Sequence, residues 1–160
     1  MTPARSDIAD RFELRSLVEA YARHVDDRDV DAVAALFTED GRMLAHLAPG
    51  TEVEPLVREG REKVRRAIAA GLEVYLGTTH VIGAQVVEIN GTAATGTTTC
   101  LAHHVYEDTE GNGRRMLLMA IRYEDRYRHE DGSWRFAERR LRLDWRDDRP
   151  LHDTPAGQAS

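Results

Sequence analysis

Three glycine-containing turns divide residues 78–145 into four long stretches whose residues alternate as in β-strands. The turns are Asn90-Gly91, Gly111-Asn112-Gly113 and Asp131-Gly132. Short Asn-Gly and Asp-Gly loops between such stretches are the strongest local signal of a β-hairpin. At about 3.3 Å per residue each stretch is near 40 Å long, which is too long to stay flat under normal twist. The turns therefore predict a strongly curved antiparallel meander over 78–89, 92–106, 115–129 and 133–145, and with helices on its concave side such a sheet is expected to enclose an apolar pocket.

Helical spacing of apolar residues precedes the meander. It predicts a first helix over about 7–25, a second that Asp29 caps and Gly41 ends, and a third over about 61–76. A short strand is predicted at 42–47. The irregular segment 47–60 is expected to form a lid or a binding edge.

Length and composition predict one globular domain. The chain has 160 residues, of which 41% are hydrophobic and 31% charged, and we assign the domain to 1–145 and a polar C-terminal tail to 146–160. The net charge of −6 argues against a nucleic-acid partner. Neither a signal peptide nor a membrane-spanning run is present in the sequence, so we expect a cytoplasmic protein without membrane contact. The single cysteine, Cys100, is expected to be a buried, inert thiol.

The apolar alternation changes phase within the last stretch. Trp134 and Phe136 occupy even positions, whereas Leu141, Leu143 and Trp145 occupy odd positions. Such a change indicates either a β-bulge or a sheet whose two ends are buried on different faces. The second interpretation requires a partner subunit over part of the outer face, and from it we expect a homodimer formed through the sheet.

Two side chains are candidates for catalysis. Asp26 lies at the end of the first helix, where an acid opposes the helix dipole. His80 lies among threonines and aliphatic residues where the meander begins. A solvated turn and a hydrogen-bonded structural histidine would explain each residue alone. If the two meet, the carboxylate fixes the tautomer of the imidazole, whose other nitrogen can then act as a general base.

Two further histidines, His103 and His104, follow in the next stretch and point to opposite faces. One of them can share a cavity with His80. A metal site built from His80, one of this pair and Asp26 is conceivable, but no paired-ligand spacing supports it. The sequence also lacks a phosphate-binding glycine loop and a dinucleotide fingerprint. We therefore predict neither a metal nor another cofactor.

The order of elements and several short motifs resemble the nuclear-transport-factor-2-like (NTF2-like) cone fold, and within it the SnoaL-like branch related to scytalone dehydratase and bile-acid 7α-dehydratase. The resemblance implies an α+β fold with three N-terminal helices packed on a strongly curved antiparallel sheet. Its carriers are residues 21–29 (YARHVDDRD), 36–41 (LFTEDG), 79–80 (TH), 122–126 (RYEDR) and 132–134 (GSW).

The resemblance also implies a set of site residues. An aspartate that ends the first helix pairs with a histidine at the start of the meander in catalytic members, and Asp26 and His80 match these positions. Tyr21 matches a tyrosine that lines the pocket, and we expect it to act in catalysis with His104, by donating a hydrogen bond to the developing oxyanion or by protonating the leaving hydroxyl. A second polar residue comes from the next strand, where strand register favours His104 over His103.

Substrate-binding residues are implied less directly. An arginine late in the final strand matches Arg142, with Arg140 at the same parity, and Tyr75 and Tyr123 complete the expected set. Val25 replaces a tyrosine that scytalone dehydratase has beside the aspartate, which argues against that particular reaction.

From this resemblance we expect a cofactor-independent lyase or isomerase acting on an apolar, carbonyl-bearing small molecule such as a polyketide, steroid or aromatic compound. Two other functions remain open. One is a non-catalytic small subunit of an aromatic-ring dioxygenase. The other is a ligand-binding accessory domain, which would be favoured if Asp26 pointed into solvent.

Overall fold

Three helices lie against a single six-stranded sheet in the computed structural model, which describes residues 7–49, 53–111 and 113–152. The helices are α1 Asp7–Asp26, α2 Val30–Ala35 and α3 Arg61–Leu72. The strands are β1 Phe37–His46, β2 Leu56–Glu59, β3 Gly77–Asn90, β4 Ala93–Glu107, β5 Arg114–Glu130 and β6 Ser133–Pro150. The sheet order is β2-β1-β6-β5-β4-β3, and neighbours are antiparallel except for the parallel pair β1 and β6. The predicted α+β fold, with helices on a curved open sheet, is confirmed.

The four-stranded meander forms as the turns predict. Asp131 and Gly132 both have positive φ, 51° and 78°, as a tight hairpin turn between twisted strands requires. β6 runs five residues past the predicted end, because β5 begins at Arg114 and offers pairing partners as far as Pro150. Residues 146–150 are therefore part of the sheet and not of a tail. Residues 153–160 lie outside the described part of the chain.

The prediction for Gly41 was wrong. Asp29 caps α2 through the Ala32 amide, at 3.0 Å, as expected, but α2 ends at Ala35, and Gly41 lies inside β1. A Cβ atom at this position would come within 2.8 Å of the carbonyl oxygen of Thr38. Gly41 thus permits a close approach of backbones where β1 joins β6, and it does not end a helix.

Helix α1 is held across the inner face of the sheet by its apolar stripe and by three polar contacts. The buried stripe includes the predicted Leu14, Leu17, Val18, Tyr21 and Val25. Arg11 and Arg15 donate hydrogen bonds to the carbonyl oxygens of Val87 and Gly83 on the edge strand β3. Asp10 accepts a 2.8 Å bond from the Trp134 indole. These contacts fix the direction of α1 and therefore the position of its last residue.

Two β-bulges in β6 explain the change of phase. One lies at Asp144, between the pairs Ala120–Trp145 and Ile121–Leu143, and the other precedes Glu138 in the same way. Each extra residue moves the following side chains to the opposite face of the strand. Of the two interpretations of the phase change, the structure therefore shows the β-bulge. The homodimer was expected from the other interpretation, a sheet buried on different faces, so the phase change no longer supports it.

The segment after β1 contains β2, which pairs with β1 and whose four residues are all exposed; residues 50–52 lie outside the described part. Helix α3 ends at Leu72, four residues before the predicted end. Within the described residues, no helix has both the length and the apolar character needed to cross a membrane.

Candidate active site

The carboxylate of Asp26 meets His80 where α1 ends beside the start of β3. Its Oδ1 atom is 2.7 Å from His80 Nδ1 and accepts a 2.9 Å hydrogen bond from the Thr78 hydroxyl. Its Oδ2 atom accepts a 2.9 Å bond from the His80 backbone amide. An ionised carboxylate only accepts hydrogen bonds, so His80 Nδ1 is the donor in this contact, and in the neutral ring Nε2 then carries the lone pair. The two residues that the sequence analysis paired are thus in direct contact.

His104 and Tyr75 extend this group along the inner face of the sheet. His104 is the cross-strand partner of Thr78, and its buried ring stands edge-on to the His80 ring at 5.6 Å between centroids. The Tyr75 ring lies 4.5 Å from that of His104. His103 faces the other way, with its Nδ1 atom 3.3 Å from the carbonyl oxygen of Thr79. Strand register thus places His104, as predicted, on the side of the dyad.

The environment of His104 favours a neutral ring. Burial, followed by the charge of His80, lowers the pKa of His104 to about 4. Its Nδ1 atom is buried and has no hydrogen-bond partner among the described residues. A neutral imidazole with an unused ring nitrogen can bind a polar group of a ligand.

Tyr21 and Tyr123 belong to an aromatic cluster deeper in the core. Their rings are 6.0 Å apart, and the guanidinium of Arg139 lies over them at 4.2 Å and 3.9 Å. Burial raises the pKa of both phenols. Tyr75, the third tyrosine of the predicted set, lies elsewhere, with its ring packed against that of His104.

The arginine that enters the inner face is Arg139, which the sequence analysis missed. Its Nε and Nη2 atoms donate to Asp125 at 2.9 Å and 2.8 Å, and both side chains are fully buried. Burial disfavours the charge of Arg139, but Asp125 holds its pKa above the ordinary value.

The expected Arg142 lies exposed on the outer face, where it binds Glu124 at 3.0 Å. Arg140 lies on the same outer face, 3.4 Å from Glu138. The reason is the bulge before Glu138, which exchanges the faces to which odd- and even-numbered side chains of β6 point, as far as the second bulge at Asp144. The inward positions of Leu141 and Leu143 were the available signal, because Arg139 shares their parity.

A surface groove of about 500 Å³ contains the dyad. The sequence analysis expected an enclosed, apolar pocket, but this groove is open. Its α1 side is charged, because the polar face of α1, opposite the buried apolar stripe, lines it. The lining residues are Arg15, Glu19, Ala22, Arg23, Asp26, Asp27, His80 and Ile82.

On the sheet side, the inner positions next to His80 are apolar, with Ile82, Cys100, Ala102 and Met119 sharing its face. Burial raises the pKa of the Cys100 thiol to about 11, so the thiol stays protonated and unreactive at neutral pH. Among the described residues, no three histidine, cysteine, aspartate or glutamate side chains are grouped so that they could hold a metal ion.

Helices packed on a curved, open sheet define the class of NTF2-like proteins. The chain belongs to the SnoaL-like domain family, whose model matches residues 6–140. No curated protein matches the chain.

Solved structures of similar fold carry several different names. A protein of unknown function from Mycobacterium tuberculosis, solved as an aspartate-to-asparagine variant, is 26% identical, with a TM-score of 0.71 over 90% of this chain and 77% of the other. A candidate scytalone dehydratase from Novosphingobium aromaticivorans is 23% identical, with a TM-score of 0.74 and full coverage of both chains. A type 2 hexachlorocyclohexane dehydrochlorinase is 20% identical, with a TM-score of 0.77 over 94% of this chain and 96% of the other. The last two likenesses establish the fold alone.

Proposed function

We propose that the protein is a cofactor-independent lyase or isomerase of the dehydratase type, in which His80 and Asp26 perform acid–base catalysis on a carbonyl-bearing small molecule. The observation that carries the proposal is the 2.7 Å contact between His80 Nδ1 and Asp26 Oδ1. Two further donors, the Thr78 hydroxyl and the His80 amide, hold the carboxylate in place. A carboxylate bound by three donors from one strand is a preorganised support for the imidazole.

In the proposed reaction, Nε2 of His80 takes a proton from the carbon next to the carbonyl group. The electron pair of the broken C–H bond moves into the carbonyl and forms an enolate. The enolate then expels a leaving group from the adjacent carbon, and the leaving group takes the proton from Nε2 of His80. In a substrate with a double bond conjugated to the enolate, the proton instead returns from His80 to the far carbon of that double bond, and the double bond moves. Asp26 keeps the proton of His80 on Nδ1 and stabilises the imidazolium ion. Such acid–base participation contributes about 10²- to 10⁴-fold in rate.

His104 and Tyr75 are the proposed hydrogen-bond donors to the enolate oxygen or the leaving group. His104 suits this role because its neutral ring has a buried nitrogen with no hydrogen-bond partner in the part of the chain that the structure describes, and the Tyr75 ring packs against it. Tyr21 and Tyr123, deeper in the core, are proposed to shape the pocket behind these donors. The apolar positions beside His80 support a substrate with an apolar body, of the polyketide, steroid or aromatic type.

The test uses a panel of ketones and thioesters that are incubated with the protein in heavy water. Mass spectrometry then measures deuterium uptake at the carbon next to the carbonyl group. This readout reports proton abstraction whatever the leaving group. We expect His80→Ala and Asp26→Asn to lose uptake by about 10²-fold or more. His103→Ala is the matched control, because this histidine faces away from the dyad, and it should retain the wild-type rate.

Uptake that persists in a folded His80→Ala variant would contradict the proposal. Loss of folding in that variant, together with full uptake by the fraction that remains folded, would assign His80 a structural role. Tight binding of a panel compound without any uptake would favour the non-catalytic accessory or subunit function.

A further inference from the structure

A four-residue segment, 73–76, joins α3 to β3 and carries Tyr75, whose ring packs against that of His104. We call it the tyrosine segment. The side chains on either side of Tyr75 are open to solvent, with Val74 67% exposed and Leu76 52% exposed. Packing therefore supports the segment mainly through the Tyr75 ring, and the rest of its support comes from hydrogen bonds to its backbone.

Arg28 supplies much of that support from the end of α1. Its Nη1 atom donates a 3.1 Å hydrogen bond to the carbonyl oxygen of Leu72, and its Nη2 atom donates to the carbonyl oxygen of Tyr75. Leu72 is the last residue of α3, so one planar guanidinium holds the tyrosine segment to the helix before it. On the other side, the Leu76 amide donates a 2.7 Å bond to the carbonyl oxygen of Val105.

The backbone of Arg28 has a conformation that favours glycine. Its φ is 60°, in the left-handed region. The Asp29 amide donates to the carbonyl oxygen of His24 at 2.9 Å, and the Arg28 amide donates to that of Val25 at 3.1 Å. These two bonds form a Schellman motif, in which glycine is the usual residue at the left-handed position. The contacts of its side chain are therefore what an arginine adds at this helix end.

We propose that Arg28 is a positioning residue of the site, whose guanidinium fixes the tyrosine segment so that the Tyr75 ring stays against His104. The inference rests on the proposed function, in which these two side chains donate hydrogen bonds to the enolate oxygen or the leaving group. Arg28 follows Asp26 by two residues. The end of α1 then places both halves of the machinery: the carboxylate that supports His80 directly, and the pair of donors through Arg28.

Release of the tyrosine segment would change the surroundings of His104. The titratable groups that face this ring are His80 from β3, Asp26 from α1 and Tyr75 from the tyrosine segment. Burial is the main reason that the pKa of His104 lies at about 4, and the Tyr75 ring is part of the cover. Without it, water reaches the imidazole, so the pKa of His104 should rise toward the ordinary value of 6.5.

The experiment is an NMR titration of the histidine side chains of the full chain between pH 4 and pH 8, with His104→Gln used to assign the His104 signal. Arg28→Gly is the main variant, because glycine suits the left-handed backbone and removes the guanidinium. We expect the pKa of His104 to rise by about one unit or more. Arg28→Asn, which the same backbone tolerates and which also lacks a guanidinium, should give the same shift.

Asp131→Gly is the matched control, because it makes the same kind of change at another left-handed position, in the hairpin between β5 and β6. It should leave the titration of His104 unchanged. Deuterium uptake on the same variants is the second readout. Arg28→Gly should lower kcat about tenfold with little change in KM, because the displaced donors act on charge that develops in the transition state.

A titration of His104 in both Arg28 variants that matches the wild type overturns the proposal, and so does an equal shift in Asp131→Gly. Uptake by Arg28→Gly at the wild-type rate, despite a shifted His104, overturns it as well. A shift of His104 in a protein that shows no uptake, the wild type included, would overturn the proposed catalysis and support the positioning of Tyr75.

Discussion

Two carboxylates on the inner side of this protein have similar partners and different surroundings. Asp26 binds an imidazole and a hydroxyl, those of His80 and Thr78. Asp125 binds a guanidinium and a hydroxyl, those of Arg139 and Tyr127. The side chains of Asp125 and Arg139 are both 0% exposed, whereas that of Asp26 is 24% exposed and opens onto the groove.

The difference separates a fully buried ion pair from the pair for which we propose catalysis. A guanidinium keeps its charge at any pH that a protein tolerates, so Arg139 and Asp125 form a fixed pair that three aromatic rings shield. An imidazole gains and loses a proton near neutral pH, and a groove beside it admits a reactant. Burial and charge pairing alone therefore do not distinguish the two carboxylates. Contact with an imidazole and access from the groove distinguish Asp26, and both are what the proposed catalysis requires.

The largest expected effect comes from breaking the buried pair. Arg139→Ala should lower the free energy of unfolding by about 3–5 kcal/mol, because it leaves Asp125 charged and unpaired inside the core. Urea denaturation followed by the emission of Trp134 would measure the loss. A double variant, Arg139→Met with Asp125→Leu, should recover most of it, since no charge is then left unpaired and only the Tyr127 hydroxyl loses its acceptor. A double variant as unstable as Arg139→Ala would show that the aromatic packing around Arg139, and not its charge pairing, is what the core requires.

Acid should affect the reactive side through His104. The folded state holds this histidine neutral, with its pKa lowered from 6.5 to about 4, so below pH 6.5 the unfolded chain binds more protons than the folded one. The contribution of His104 is fully present above pH 6.5 and is lost as the pH falls toward 4, by about 3 kcal/mol in total. Thermal unfolding of wild type and His104→Gln between pH 4 and 7 would check this prediction. The variant should show a flatter dependence on pH, and parallel curves for the two proteins would contradict it.

The smallest expected effects come from the two hydroxyl groups. Tyr127→Phe removes a buried donor to Asp125 and should lower the free energy of unfolding by about 1–2 kcal/mol without changing deuterium uptake. Thr78→Val removes a half-buried donor to Asp26 and should cost less than about 1 kcal/mol of stability, but it should slow uptake several-fold. Denaturation and uptake measured on both variants would check both predictions. A Tyr127→Phe variant that slows uptake as much as Thr78→Val would contradict the distinction between the two carboxylates.

Much of the fold was predictable because its signals are local. Positive φ at Asp131 and Gly132 suits a hairpin wherever the chain is placed, and the stripe from Leu14 to Val25 selects one face of α1. The pairing of Asp26 with His80 was also predictable, once the order of elements resembled a known family. The same reasoning placed His104 inside, because the side chains of a regular strand alternate strictly.

The positions of Arg139 and Trp145 were decided by the tertiary structure. One extra residue in β6 moves every later side chain to the other face, and another moves the chain back again. Whether and where such a residue is inserted depends on how β6 pairs with β5 and β1, which are contacts between distant segments. The sequence alone determined the hairpins, the apolar face of α1 and the two partners of the dyad. Only the assembled sheet decided which arginine is buried and which tryptophan faces outward. The alternation of side chains can be predicted from one strand, but the position of a bulge depends on the register between two paired strands.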